Sequence, residues 1–279
     1  MKLKQRLAIT YIRTKFKILT VFSKRVAAEQ AFRLFCTPLE RSIATQVPKN
    51  AAAIGFTLNG LQINGYRWNH PQPKKALLLH GFGSAAHKFE RYAAPLIAKG
   101  YEVLAFDAPA HGSSEGKSTN AVEYSAMIKE VIRLYGPIER FLAHSFGGIA
   151  LSLALETIPH DKGTKIVLIA PATETTSAVD GAFVMLGIKN TVVRKEMDKI
   201  IFDISGYPTS WFSIRRAAKN ITAGILWIHD EDDDITPLAD ALKVKEDNHP
   251  HINFVITKGL GHRRIYHDPA VKKLVTDFM

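Results

Sequence analysis

A mostly parallel central β-sheet with helices on both faces is the α/β architecture that this sequence predicts. Six short apolar runs between residues 76 and 257 mostly lack alternation, the signature of strands buried on both faces. Helix-length segments fall between most of these runs, and strands alternating with helices build parallel sheets. The 279 residues are 46% hydrophobic and 23% charged, an ordinary globular composition. A chain of this length can hide roughly three quarters of its unfolded surface.

The first segment reads as an amphipathic helix. Ile9, Ile12, Phe16, Leu19 and Val26 fall close to one face, with Arg6, Arg13, Lys17 and Lys24 beside it. Residues 1–50 carry eleven Lys/Arg against two Glu, a net +9 of the chain's +11. The remaining body is nearly neutral, which argues against nucleic acid as a partner. Residues 1–30 could instead contact an anionic membrane surface. The simpler reading is an arm packed on the protein with its charges solvated, and a cleaved targeting segment comes third. Pro38 and Pro48 mark a linker, so residues 1–50 form a basic arm and 51–279 the main domain.

Asn59-Gly60 separates two β-like runs, Ala53–Leu58 and Leu61–Trp68, and signals an antiparallel hairpin at the N-terminal edge. The buried strands are expected over Ala76–His80, Tyr101–Asp107, Phe141–His144, Lys165–Ala170, Ala223–His229 and Ile252–Thr257. The helices are expected over Arg91–Lys99, Ala121–Tyr135, Ile149–Thr157, Pro237–Asp247 and Pro269–Phe278. The stretch from about 172 to 219 breaks this rhythm. It is too long for a structureless loop, so it is expected to be a helical cap insertion. It follows a strand's C-terminal end, where ligands bind in such sheets, so a lid is inferred.

Ser145 ends one strand and precedes a helix, in the stretch Ala143-His144-Ser145-Phe146-Gly147. A serine there must turn sharply, small neighbours relieve the crowding, and the helix N-terminus favours negative charge near its oxygen. A hydroxyl needs a base, and the base an orienting acid. Both should lie just past strand ends. The run Asp230-Glu231-Asp232-Asp233-Asp234 follows one strand, and Gly259-Leu260-Gly261-His262 follows the next. The chain order is therefore Ser, Asp, His.

These stretches resemble the α/β-hydrolase superfamily, over roughly residues 52–279. His80-Gly81-Phe82-Gly83-Ser84 is similar to its HGxGxS loop, and Asp107–Ser114 to its D-x-P-G-H-G-x-S turn. Ala143–Gly147 is similar to the nucleophile elbow, His229–Pro237 to the acid loop, and Gly261-His262 to the histidine loop. The resemblance implies Ser145 as nucleophile, His262 as base and then acid, and Asp233 as the residue that orients it. It implies an oxyanion hole from the backbone N–H groups of Phe82 and Phe146. Spacing to Pro237 favours Asp233, with Asp232 and Asp234 next. Ala143, Ala110 and Asp230 stand where the family has glycine. If the Ala110 position needs positive φ, its turn must differ locally, and most of the aspartates in the acid loop are expected to be solvated spectators.

The expected function is a serine hydrolase that cleaves an ester-type bond through an acyl-enzyme. The substrate would be a small ester-like molecule, with an apolar group suggested by the aromatic residues of the insertion. Thioesterase, amidase, peptidase and acyltransferase readings stay open, as do a membrane-surface lipid esterase and a non-catalytic binding protein. No cofactor is expected, and no metal either, because the carboxylates of 230–234 lack calcium-loop spacing. His80, His111 and His144 are expected to hydrogen-bond locally. The single Cys36 and the absence of a recognisable signal peptide suggest the cytoplasm, with the arm as a peripheral membrane contact.

Overall fold

Eight strands form one sheet in the order β1-β2-β4-β3-β5-β6-β7-β8. A computed structural model describes residues 3–279, with side chains from Thr10 onward. Arg6 and Ile9 lie outside those described side chains. β1 (Ala51–Leu58) and β2 (Leu61–Trp68) form the hairpin closed by Asn59-Gly60, and both turn residues have positive φ. β2 pairs antiparallel with β4 (Glu102–Phe106), and every pairing beyond is parallel. Those strands are β3 (Lys75–Leu79), β5 (Arg140–His144), β6 (Lys165–Ile169), β7 (Gly224–Asp230) and β8 (Ile252–Thr257).

Apolar residues on both sides of these strands require helices on both sides. α3 (Glu90–Ala98) and α11 (Pro269–Phe278) cover one face, where Tyr92, Leu96, Val271 and Val275 pack with Ala76, Leu78, Val103 and Leu142. α4 (Ala121–Tyr135) and α5 (Phe146–Leu155) pack together, and α5 lies on β3 and β5. α4 begins at Asn120, whose side chain accepts from the N–H groups of Val122 and Glu123, a cap of about 1 kcal/mol. α5 is apolar all round and nearly all buried, so its burial rather than amphipathicity fixes it against β3 and β5.

The chain divides into two compact units. The sheet belongs to the larger, Pro38–Glu174 with Ser213–Met279. That unit also holds α8 (Ile214–Ala217), α9 (Leu238–Glu246) and α10 (Gly261–Arg264). Its two interruption points are tied together, since the Ser213 hydroxyl donates to Glu174 at 2.7 Å and Ile214 N–H to the Thr173 carbonyl at 2.8 Å.

The smaller unit joins the N-terminal helices, through Thr37, to Thr175–Phe212. It is helical: α1 (Leu3–Phe22), α2 (Lys24–Phe35), α6 (Thr175–Leu186) and α7 (Thr191–Ser205). α2 packs on α7 through the small buried residues Ala27, Ala28 and Ala31, which allow close approach. Arg13 donates to the Met185 carbonyl at 3.0 Å, and Arg25 meets Glu29, Glu196 and Asp203. The first 37 residues thus associate with the insertion, a pairing that their sequences alone did not suggest.

Candidate active site

Four loops at the C-terminal ends of parallel strands carry the residues singled out above. β3 leads to Gly81-Phe82, β5 to Ser145, β7 to the acid loop and β8 to His262. Ser145 takes φ 54° and ψ −120°, a conformation that costs about 1–3 kcal/mol. It is held by its surroundings. Its N–H donates to the Ile169 carbonyl at 3.1 Å, and its own carbonyl accepts from Gly148 and Ala172. Small residues are required beneath it: a Cβ on Gly147 would come within 2.8 Å of the His80 carbonyl.

Ser145 Oγ lies 3.0 Å from His262 Nε2, and His262 Nδ1 lies 2.9 Å from Asp233 Oδ2. Ser145 and His262 are 8% and 7% exposed, so this chain of bonds is sheltered from bulk water without being sealed from it. Burial works to raise the Asp233 carboxyl. The hydrogen bond and charge of His262, with N–H groups from Thr236 and Ile235, outweigh it and hold the carboxyl below its ordinary range. Asp233 is thus an acceptor at neutral pH, suited to a His262 that carries its proton on Nδ1.

Asp232 and Asp234 are exposed, as expected, and Asp230 alone departs from the expectation of solvated spectators. Asp232 accepts from the Gly259 N–H at 2.9 Å. Asp230 is fully buried and ties the acid loop to the histidine loop. It accepts from the N–H groups of Asp232, Leu260 and Gly261 and from the Thr257 hydroxyl at 2.6 Å. Burial opposes its ionisation, but the Thr257, Gly261, Asp232 and Leu260 donors prevail and lower its pKa. A glycine could do none of this. Asp230→Ala leaves these donors without their acceptor, and differential scanning calorimetry at pH 7 should show a loss of about 2–4 kcal/mol. Asp234→Asn, at an exposed position, should stay within about 0.5 kcal/mol.

Thr236 was not singled out by sequence. Its hydroxyl lies 3.1 Å from His262 Nδ1, 2.9 Å from Asp233 Oδ2 and 3.2 Å from the Ala170 carbonyl. It sits beside the bond between acid and histidine and limits how either can turn. A threonine in an acid loop carries no signal that would reveal this contact in advance.

The histidines of the motif turns bond locally. His80 Nδ1 donates to the Gly81 carbonyl and its Nε2 accepts from Ala108 N–H. His111 does the same between the Pro109 carbonyl and Gly83 N–H, and so anchors the loop that bears Phe82. His144 Nε2 donates to the His262 carbonyl at 3.1 Å. Burial is the main cause that pushes these three down, to about 4, about 3 and about 3 respectively. Asp107 stitches the same region, accepting from Ala86 N–H and from both donors of Ser113. Ala110 takes φ 64° in its turn, so alanine accepts the left-handed conformation itself; its buried methyl offsets part of the cost.

Phe82 and Phe146 follow these anchored loops, their rings meeting edge to face at 5.5 Å. Gly81 packs directly against the serine: a Cβ there would lie 2.9 Å from Ser145 Cβ and 3.0 Å from His144 Nδ1. Both neighbours are held by backbone, so Gly81→Ala must displace one of them. Whatever reaction Ser145 carries should show kcat/KM reduced about tenfold to a hundredfold in this variant, with the fold intact. No group of three or more His, Cys, Asp or Glu side chains suited to a metal occurs among the described residues.

The sequence pattern of the serine aminopeptidase S33 family matches residues 71–200. The uncharacterized hydrolase YugF of Bacillus subtilis is 32% identical over 106 residues, 36% of this chain and 38% of that protein. The chain thus spans well under half the length of the curated relatives it matches. Among solved structures, the esterase Pf2001 of Pyrococcus furiosus superposes with a TM-score of 0.64 at 21% identity, over 85% of this chain and 96% of that one. The mouse α/β-hydrolase domain-containing protein 10 gives 0.60 at 16% identity, over 81% and 96%. At such identities the likeness speaks for the fold.

Proposed function

We propose that this chain is a member of the α/β-hydrolase superfamily and a serine hydrolase acting on an ester-type bond through an acyl-enzyme, a reading supported by the family pattern over residues 71–200 and by the shared fold. One observation carries the reading: an unbroken line of contacts of 3.0 and 2.9 Å from Ser145 through His262 to a buried Asp233. In the first step His262 Nε2 takes the Ser145 proton as Oγ bonds to the substrate carbonyl carbon. The carbonyl electron pair moves onto its oxygen, which receives hydrogen bonds from the N–H groups of Phe82 and Phe146. Each such donor contributes about 3 kcal/mol in the transition state. When the pair returns, the leaving alkoxide departs with the proton from His262. Water then repeats the sequence on the acyl-enzyme. Asp233 holds the imidazole tautomer and offsets its transient positive charge.

The half-exposed Phe82, set against Phe146, supports an apolar acyl or alcohol group in the substrate. The S33 description favours a second reading, cleavage of a peptide N-terminus. The single buried cysteine suits a cytoplasmic enzyme, and residues 1–30 remain its candidate membrane contact.

A fluorophosphonate probe tests the chemistry. Wild type should be labelled on Ser145, with fluoride displaced, while Ser145→Ala and His262→Ala should stay unlabelled. A folded wild type that resists the probe would move the binding-protein reading to the front. p-Nitrophenyl esters of rising chain length, set beside aminoacyl anilides, separate ester from peptide cleavage.

A further inference from the structure

The arm's helix α1 has two apolar faces, and only one of them is used within its own unit. Ile12, Phe16 and Leu19 recur at helical spacing and turn inward, with Phe16 4% exposed. Tyr11, Lys15, Ile18 and Phe22 recur at intervals of four, three and four residues on another side. Tyr11 is 71% exposed, Ile18 54% and Phe22 83%, and the adjoining Val21 is 75% exposed. Four large apolar side chains on one short stretch are more than scattered surface residues explain. Lys15 and Lys17 flank them and make no ion pair among the described residues, whereas Arg13 and Arg25 are engaged inside the helical unit.

The geometry points to this outer face of α1 as a docking surface for an anionic lipid bilayer. The inward face, which the sequence marked as the apolar one, is occupied; the lipid-binding face is the other. Tyr11, Ile18, Val21 and Phe22 enter the boundary between headgroups and acyl chains, and Lys15 and Lys17 stay with the phosphates. Charge selects the occupant. A second copy of the chain would bring like-charged lysines together in a symmetric contact. Nucleic acid would match the lysines but would leave four bulky apolar groups without a partner. The inference is independent of the hydrolase reading.

The test is co-sedimentation of the full chain with phosphatidylcholine vesicles, with and without phosphatidylglycerol. Wild type should partition onto the anionic vesicles at least about tenfold better than onto the neutral ones, and less well as salt rises. Val21→Ser/Phe22→Ser and Lys15→Gln/Lys17→Gln should each lower partitioning by about tenfold. Both pairs lie outside the site around Ser145, and thermal melts by circular dichroism that match wild type report that the variants are folded. Wild type that stays in the supernatant, or both variants partitioning as wild type does, overturns the proposal. Self-association in sedimentation velocity that the Val21/Phe22 variant abolishes, with no vesicle binding, would overturn it in favour of a second copy.

Discussion

Ser145→Ala is expected to lower kcat for p-nitrophenyl ester hydrolysis by about 10⁵–10⁶-fold, with KM changed little. His262→Ala should cost about as much, and the double variant no more than either alone. The reason is geometric. Oγ and Nε2 are 3.0 Å apart, so in the proposed mechanism the proton leaves as the nucleophile attacks, and neither residue supplies a share of the rate without the other. Asp233→Asn should lose about 10⁴-fold, because an amide can present an N–H to His262 Nδ1 and favour the wrong tautomer. None of these losses should be confused with unfolding. Alanine at 145 meets the same positive φ as serine, and the Ile169, Gly148 and Ala172 backbone contacts that hold it remain. Steady-state kinetics with matched melting curves decide the matter. Ester hydrolysis retained in folded Ser145→Ala would end the acyl-enzyme reading.

Acid should unfold this protein well before its carboxylates are neutral. His80, His111 and His144 are buried and neutral, with values near 4, 3 and 3 in the folded chain against about 6.5 unfolded. The sign follows directly. Above pH 6.5 both states are neutral and nothing is lost. As pH falls below 6.5, only the unfolded chain gains the protons, so stability falls until the folded values are reached. Three such groups together give a slope of about 4 kcal/mol per pH unit below pH 6. Two units on that slope approach the whole stability of an ordinary domain, about 5–15 kcal/mol. His229, also lowered chiefly by burial, adds to the slope. Asp230 and Asp233 act later. Their lowered pKa values contribute stability above the unfolded carboxylate range, lost as pH falls through the folded values. Melting temperature should drop steeply between pH 6.5 and 4.5, and His111→Gln should flatten the slope by about 1 kcal/mol per pH unit. A melting temperature constant from pH 7 to 5 would refute the account.

The sheet was legible in the sequence because each parallel strand is a short, doubly buried apolar run. Such runs end where glycine, serine or aspartate can turn the chain, so Ser145 and His262 stood out at strand ends. The similarity to a mostly parallel, helix-flanked α/β-hydrolase fold agrees with that reading. Asp230 was not legible. A carboxylate beside four others looks like a solvated face, and only the flush ends of β7 and β8, with Asp230 opposite Thr257, make it a buried tie. Thr236 was hidden for a similar reason, since a hydroxyl's partners are set by the loop's closure. The outer face of α1 escaped notice because the inner stripe of Ile12, Phe16 and Leu19 already accounted for the helical period. The pairing of α2 with α7 joins segments too far apart for any local pattern to register.

That last pairing has a consequence for how the chain is made. α2 ends at Phe35 and its partner α7 begins at Thr191. At ribosomal speeds of about 5–20 residues per second, the small apolar face of Ala27, Ala28 and Ala31 waits roughly ten to thirty seconds for the helix that covers it. During that interval the sheet strands from β1 to β6 emerge first. The newborn arm therefore spends the early life of the protein as an uncovered, positively charged helix, available to whatever surface lies near the ribosome.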